Sequence, residues 1–181
     1  MKKNHPTKNH VLRCFTLLCT ALITLNLSAQ NSEIVIIDEN FPNKNGLIAS
    51  LPVDVKLIEA NSQSSLQQTL ETAVKAGTSI QNIHLFCNTD NSIITLGNQQ
   101  YSTDNIVSNL DKMAFSGHTP KNLLVYSCTL AKHAEGIALL EAIADETNLN
   151  VASCFSCETI DEELEFNFST SPTLITSSLF K

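Results

Sequence analysis

The chain has 181 residues, 43% apolar and 16% charged, with five Gly and five Pro. This composition excludes collagen-like, Pro/Gly-rich and strongly disordered chains and suits one globular domain. Acids outnumber bases 18 to 11, and there is no Trp, which argues against a nucleic-acid binder built on clustered Lys and Arg or on an aromatic stacking platform.

Residues 1–30 read as a secretory signal peptide. Lys2, Lys3, Lys8 and Arg13 precede the apolar run of residues 14–27, which leads into Ser28-Ala29-Gln30. Charged, apolar and small-residue segments in that order mark such leaders. The run is shorter than the roughly 20 apolar residues a transmembrane helix needs. Its removal would leave seven bases against 18 acids, a net charge of −11. The expected destination is secreted or periplasmic, with no membrane span after cleavage. Residues 31–181 form the single folded domain.

Within that domain strands and helices alternate. Glu33–Asp38 is a continuous apolar run, as in strands buried on both faces. Val53–Ile58 alternates and suits the side of the sheet. Leu66, Leu70, Ala73 and Val74 share one face of a helix that stops at Gly77. Asn82–Cys87 is the third strand. Ser92–Leu96 and Gln99–Ser102 flank Gly97-Asn98 as a hairpin. Ile106, Val107, Leu110, Met113 and Ala114 mark a second helix, ending at Ser116-Gly117. Leu123–Cys128 is the fourth strand, and a helix over about 134–147 carries Ile137, Leu140 and Ala144 inward. Asn150–Ser153 is a short fifth strand. Leu164–Phe168 and Thr173–Ile175 are weaker edge strands. Strands separated by helices of this length form βαβ crossovers. The expected fold is therefore α/β: an open, mainly parallel sheet with helices on both faces.

Sites in such sheets lie beyond the carboxyl ends of the strands. Here those ends carry every cysteine that follows the leader: Cys87, Cys128, Cys154 and Cys157. Neighbouring strand ends stand about 5–10 Å apart, so all four are disulfide candidates in an oxidising compartment, with three possible connectivities. Zinc needs a second cysteine pair at knuckle spacing, which is missing, so no metal or other cofactor is expected. Cys128 also precedes a helix that Thr129 or Lys132 could open, and a thiol at a helix N-terminus can serve as a nucleophile. Cys154-Phe155-Ser156-Cys157 could serve a thiol-disulfide exchanger, although its trailing acids oppose thiolate formation.

Two stretches, Ile83–Thr89 continuing to Leu96-Gly97, and Leu123–Ala131, resemble paired signatures of an uncharacterised bacterial domain of unknown function. That domain occurs at the N-terminus of large secreted repeat adhesins, and it is similar to cysteine peptidases of the caspase, gingipain and legumain type. Ile34–Asp38, Asn150–Ser153 and Glu163-Leu164-Glu165 are similar to its first strand, a late strand and its closing motif. The resemblance implies a caspase-like sheet of order 2-1-3-4-5, with Cys128 at the nucleophile position. It puts Asn88 at the position of the catalytic histidine and Thr89 at the glycine after it. Cys87 replaces a serine and Ser127 a glycine. An amide cannot take a proton near pH 7 as imidazole does.

Among the other histidines, His84 matches a non-catalytic strand histidine. His118 belongs to the loop before strand four, on the wrong edge. His133 is the only candidate substitute base. The acids Glu158, Asp161, Glu162, Glu163 and Glu165 lack the turn and spacing of a calcium loop. The expectation is a degenerate, catalytically inactive peptidase-like domain that recognises a protein or peptide at the envelope. The alternative is an active cysteine endopeptidase using Cys128 and His133.

Overall fold

A computed structural model of the chain describes residues 33–53, 55–76, 80–110, 122–154, 166–172, 175 and 179. The chain separates into two compact units, Met1–Gln30 and Asn31–Lys181, and the account below concerns the second. The leader, His118, Cys157, the acidic cluster and the carboxyl half of the second expected helix lie outside the described residues.

The strands are β1 (Glu33–Asp38), β2 (Lys56–Ala60), β3 (Asn82–Phe86), β4 (Asn88–Thr89), β5 (Ile94–Leu96), β6 (Gln99–Tyr101), β7 (Asn122–Val125), β8 (Asn150–Ser153) and β9 (Phe168–Ser169). The helices are α1 (Lys44–Ser50), α2 (Leu66–Lys75), α3 (Ile106–Asn109) and α4 (Ala134–Thr147), with a 3-10 turn at Leu130–Lys132. The main sheet has six strands in the order β2-β1-β3-β7-β8-β9. β1, β2, β3, β7 and β8 are parallel, and β9 lies antiparallel on β8. The five parallel strands stand in the expected order 2-1-3-4-5, with β7 and β8 in the fourth and fifth places, and the difference is a sixth strand. The sixth strand closes one edge, and β4, β5 and β6 form a separate antiparallel sheet ahead of β7.

Apolar residues on both sides of each central strand explain why the sheet is covered twice. Ile34, Ile36, Ile83, Leu85, Leu123, Val125 and Val151 pack on one face with Leu66, Leu70, Leu139, Leu140 and Ile143. Val35, Ile37, Phe86, Leu124, Tyr126 and Ala152 pack on the other with Leu47 of α1. Helix α2 begins where its sequence allows: the Ser65 hydroxyl accepts from Gln68 N at 3.2 Å, and the Tyr101 phenol accepts from Leu66 N at 2.8 Å. These bonds satisfy amides that a helix start leaves open. The hairpin turns at Gly97, whose φ of 59° suits glycine.

Three local features differ from expectation. Helix α1 has no counterpart in the sequence reading, because seven residues with one buried side chain, Leu47, carry no helical stripe. Val107 of α3 is exposed and is not part of an inner face. The buried residues of α4 are Gly136, Leu139, Leu140, Ile143 and Thr147, so of the expected stripe Leu140 is buried, Ala144 packs partly buried against the core and Ile137 is half-buried. Gly136 closely approaches the carbonyls of Leu130 and Asn91, where a Cβ would stand 2.1 and 2.6 Å away.

Candidate functional site

The carboxyl ends of β3 and β7 are adjacent, since Leu85 pairs with Val125 in parallel register. Beyond Cys87, the chain leaves the main sheet as β4, where Asn88 pairs with Thr95 and Thr89 with Ile94. The two strand ends are joined by a hydrogen bond of 2.8 Å between the Thr89 and Ser127 hydroxyls. Ser127 Oγ also accepts from Leu130 N at 3.1 Å and Thr129 N at 3.3 Å. With both lone pairs engaged, its proton goes to Thr89 Oγ1. Thus the expected nucleophile position and base position are carried by neighbouring segments.

Their chemistry is muted. Asn88 is half-buried, and its amide donates to the Asn40 carbonyl at 3.4 Å. Cys128 is half-buried with a free thiol, and no hydrogen bond to that thiol occurs among the described residues. His133 is exposed. Its backbone N–H donates to Leu130 O at 3.2 Å, and its ring bonds nothing among the described residues. The expected helix start behind Cys128 is also corrected. The 3-10 turn at Leu130–Lys132 intervenes, and α4 opens at Ala134 with no side-chain cap from His133. Neither Thr129 nor Lys132 caps it. Thr129 Oγ1 is buried without a partner, and the Thr129 and Leu130 amides already have the Ser127 oxygen. Cys128 therefore does not receive the field of a helix N-terminus.

The thiols do not form one cluster of bridges. Cys87 and Cys128 are free, so neither belongs to a disulfide, contrary to their place among the candidates. Cys154 is disulfide-bonded, to a cysteine outside the described residues. Its sulfur, which has no proton to donate, lies 3.8 Å from the Ser127 carbonyl oxygen. Cys87 is 3% exposed, and burial, reinforced by the Asp38 carboxylate, pushes its thiol far above the ordinary range. Asp38 itself accepts from Asn40 N at 2.7 Å and from Gly97 N. It ties the end of β1 to the hairpin.

His84 lies in β3, fully buried on the other sheet face. Its Nε2 is 2.6 Å from Glu33 Oε2 and its Nδ1 2.8 Å from the Tyr126 hydroxyl. Burial, with Glu33 adding to it, pushes the Tyr126 phenol up. Tyr126 also stacks on Phe86 at 4.0 Å between ring centroids. At the amino end of the sheet Asn82 donates to Glu33 Oε1 at 3.0 Å. Asn122 donates to Asn82 at 2.7 Å, and Asn150 to Asn122 at 3.1 Å. Each of these four is the first residue of its strand, and the sheet register pairs them. An Asn opening three apolar runs was the available sequence signal for this ladder.

Among the described residues, no group of three or more His, Cys, Asp or Glu side chains could hold a metal ion. No described helix is long and apolar enough to cross a membrane.

Fold and site together define a mixed α/β domain with a mainly parallel sheet, helices on both sides and a free thiol at its carboxyl edge. The chain belongs to the family described as a domain of unknown function, DUF4347, whose model matches residues 34–157. No curated protein and no solved structure matches it.

Proposed function

We propose that this chain is a secreted, catalytically silent relative of the caspase-type cysteine peptidases, acting by recognition of a protein or peptide at the cell envelope. The observation that carries the reading is the residue that opens β4, just beyond β3 and Cys87. Asn88 stands where the resemblance calls for an imidazole, and its amide is already spent on the Asn40 carbonyl. A cysteine peptidase needs a base to form and hold the thiolate and to protonate the leaving amine. An amide does neither. The free His133 ring supports the same reading, since it has no hydrogen bond to the Cys128 thiol among the described residues. The amides of Thr129 and Leu130 also favour it. They are held by Ser127 Oγ, so they are not open donors for an oxyanion. The acidic body and the leader-like N-terminus support a role outside the cytoplasm.

The test uses purified protein, a peptide library and the Cys128→Ser variant as control. No Cys128-dependent cleavage is expected. A peptide electrophile should label Cys128 no faster than a simple alkylating agent of equal reactivity. Cleavage that disappears in Cys128→Ser would overturn the proposal, and its loss in His133→Ala would identify the base.

A further inference from the structure

Helix α1 is lightly held at its start. Its N-cap residue, Asn43, has a φ of 53° and makes no side-chain cap, its first turn carries no acid, and Leu47 is its one buried residue. A helical turn with so few ties opens at little cost. Its second and third residues are Asn45 and Gly46, the one Asn-Gly pair in the sequence, and both are exposed. The amides around the pair are engaged. Lys44 N donates to Phe41 O at 3.2 Å and Leu47 N to Asn43 O at 3.0 Å. Gly46 N and the Asn45 side chain make no hydrogen bond among the described residues. An unbonded peptide N–H therefore adjoins an unbonded carboxamide, on a backbone that glycine leaves free to turn. Asn61, Asn105 and Asn109 differ, since each uses its side chain in a hydrogen bond and each precedes a residue with a side chain.

We propose that Asn45 is a site of spontaneous deamidation that loosens α1 with time. The deprotonated Gly46 nitrogen attacks Cγ of Asn45. A bond forms between them, the Cγ–Nδ2 bond breaks, and the side-chain nitrogen leaves as ammonia, taking up the proton that the Gly46 nitrogen lost. Water then opens the cyclic imide at either carbonyl, giving its hydroxyl to the carbon and a proton to the nitrogen. No oxidation state changes, and water is the only co-reactant. Opening at Cγ leaves aspartate. Opening at the backbone carbonyl leaves isoaspartate, in which the chain runs through the side chain and is longer by a methylene. Aspartate is accepted in a first helical turn. Isoaspartate displaces Gly46 and Leu47, and Leu47 is the residue that packs α1 with Val35, Ile37 and Phe86. Either product adds a negative charge beside Lys44, which pairs with Glu59 of β2 at 2.5 Å.

The test follows the folded full chain in neutral buffer over weeks by peptide mapping, with electron-transfer fragmentation to separate the two products. Asn45 should exchange amide for acid before any other asparagine of the described residues, with isoaspartate as the major product. Gly46→Ala should slow the conversion about ten-fold, because a Cβ obstructs the attack. At that position the Cβ meets only the Asn43 side chain, at 2.5 Å, which can move aside. Amide hydrogen exchange of α1 should quicken in the isoaspartate fraction. It should keep its starting rate in Asn45→Asp, which has the charge without the methylene. The proposal fails if folded protein keeps the Asn45 amide over a period in which guanidinium-unfolded protein loses it. It fails equally if another asparagine converts first, or if Gly46→Ala leaves the rate unchanged. Unchanged exchange in the isoaspartate fraction would refute the loosening of α1.

Discussion

Nε2 of His84 donates to the Glu33 carboxylate across 2.6 Å, joining β3 to β1 on the buried face of the sheet. A carboxylate only accepts, so Nε2 is the donor there, while the other ring nitrogen, Nδ1, shares a 2.8 Å hydrogen bond with the Tyr126 hydroxyl. Removing the ring would take one donor from a largely buried carboxylate. His84→Leu should cost about 1–3 kcal/mol, the range for a buried acceptor that loses one of its donors, Asn82 remaining as the other. Tyr126→Phe should cost about 1 kcal/mol, the scale of one lost hydrogen bond. Urea unfolding should show a lower midpoint at unchanged slope. A His84→Leu midpoint equal to that of the parent would mean the network contributes nothing.

The asparagine ladder makes a graded prediction. Asn122 both donates and accepts, whereas Asn150 stands at the end of the row. Asn122→Ala should therefore destabilise by about 1–3 kcal/mol, because it strands polar atoms on both neighbours. Asn150→Ala should cost less. The Asn122/Asn150 double variant should be less unstable than the sum of the two, since both remove the same bond. Strict additivity in a denaturation series would show that the amides act separately.

Gly136 tests the sign of a helix substitution. In an exposed helix interior, Gly→Ala gains about 1 kcal/mol. Here the added Cβ would meet the Leu130 carbonyl oxygen at 2.1 Å, and backbone is the atom in the way. Gly136→Ala should lower the melting temperature, and a rise would show that α4 can move away from the 3-10 turn.

Alkaline pH should weaken the fold. Cys87 and Tyr126 are both raised above their ordinary values of 9.0 and 10.0 by burial first, then by Asp38 and Glu33 respectively. Both therefore hold their protons in the folded chain after the unfolded chain has begun to lose them. The stability they contribute is complete below those ordinary values and falls as pH rises beyond them, by up to about 1.4 kcal/mol per pH unit for each group. Cys87→Ala should delay the start of the decline from about pH 9 to about pH 10, where the tyrosine takes over. Denaturant midpoints between pH 7 and 11 measure this, and superimposable profiles would exclude Cys87 as the source.

Much of the sheet was legible from local pattern. Continuous apolar runs located β1 and β3 to within a residue and β7 at its start, though β7 ends at Val125 rather than Cys128, because strands covered on both faces need apolar residues at every position. Gly97-Asn98 announced the hairpin, because its turn needs a left-handed residue that glycine adopts without strain. Helix α4 was legible in its limits and only partly in its facing: Leu140 is buried as expected, whereas Gly136 faces carbonyls of Leu130 and Asn91, a contact no 3.6-residue period contains.

The sequence by itself determined which residues follow strands three and four, and hence that an amide and a thiol stand where chemistry could occur. Side-chain identity is a local property, and its acid–base repertoire travels with it. Only the tertiary structure decided that Ser127 Oγ occupies the neighbouring amides, that Cys87 and Cys128 stay unpaired while Cys154 is bridged, and that His84 belongs to Glu33 and Tyr126. The Ser127 turn is local, but the contacts that cross between strands join residues 27 to 51 apart, and such distances are set by strand register and packing rather than by any neighbouring residue.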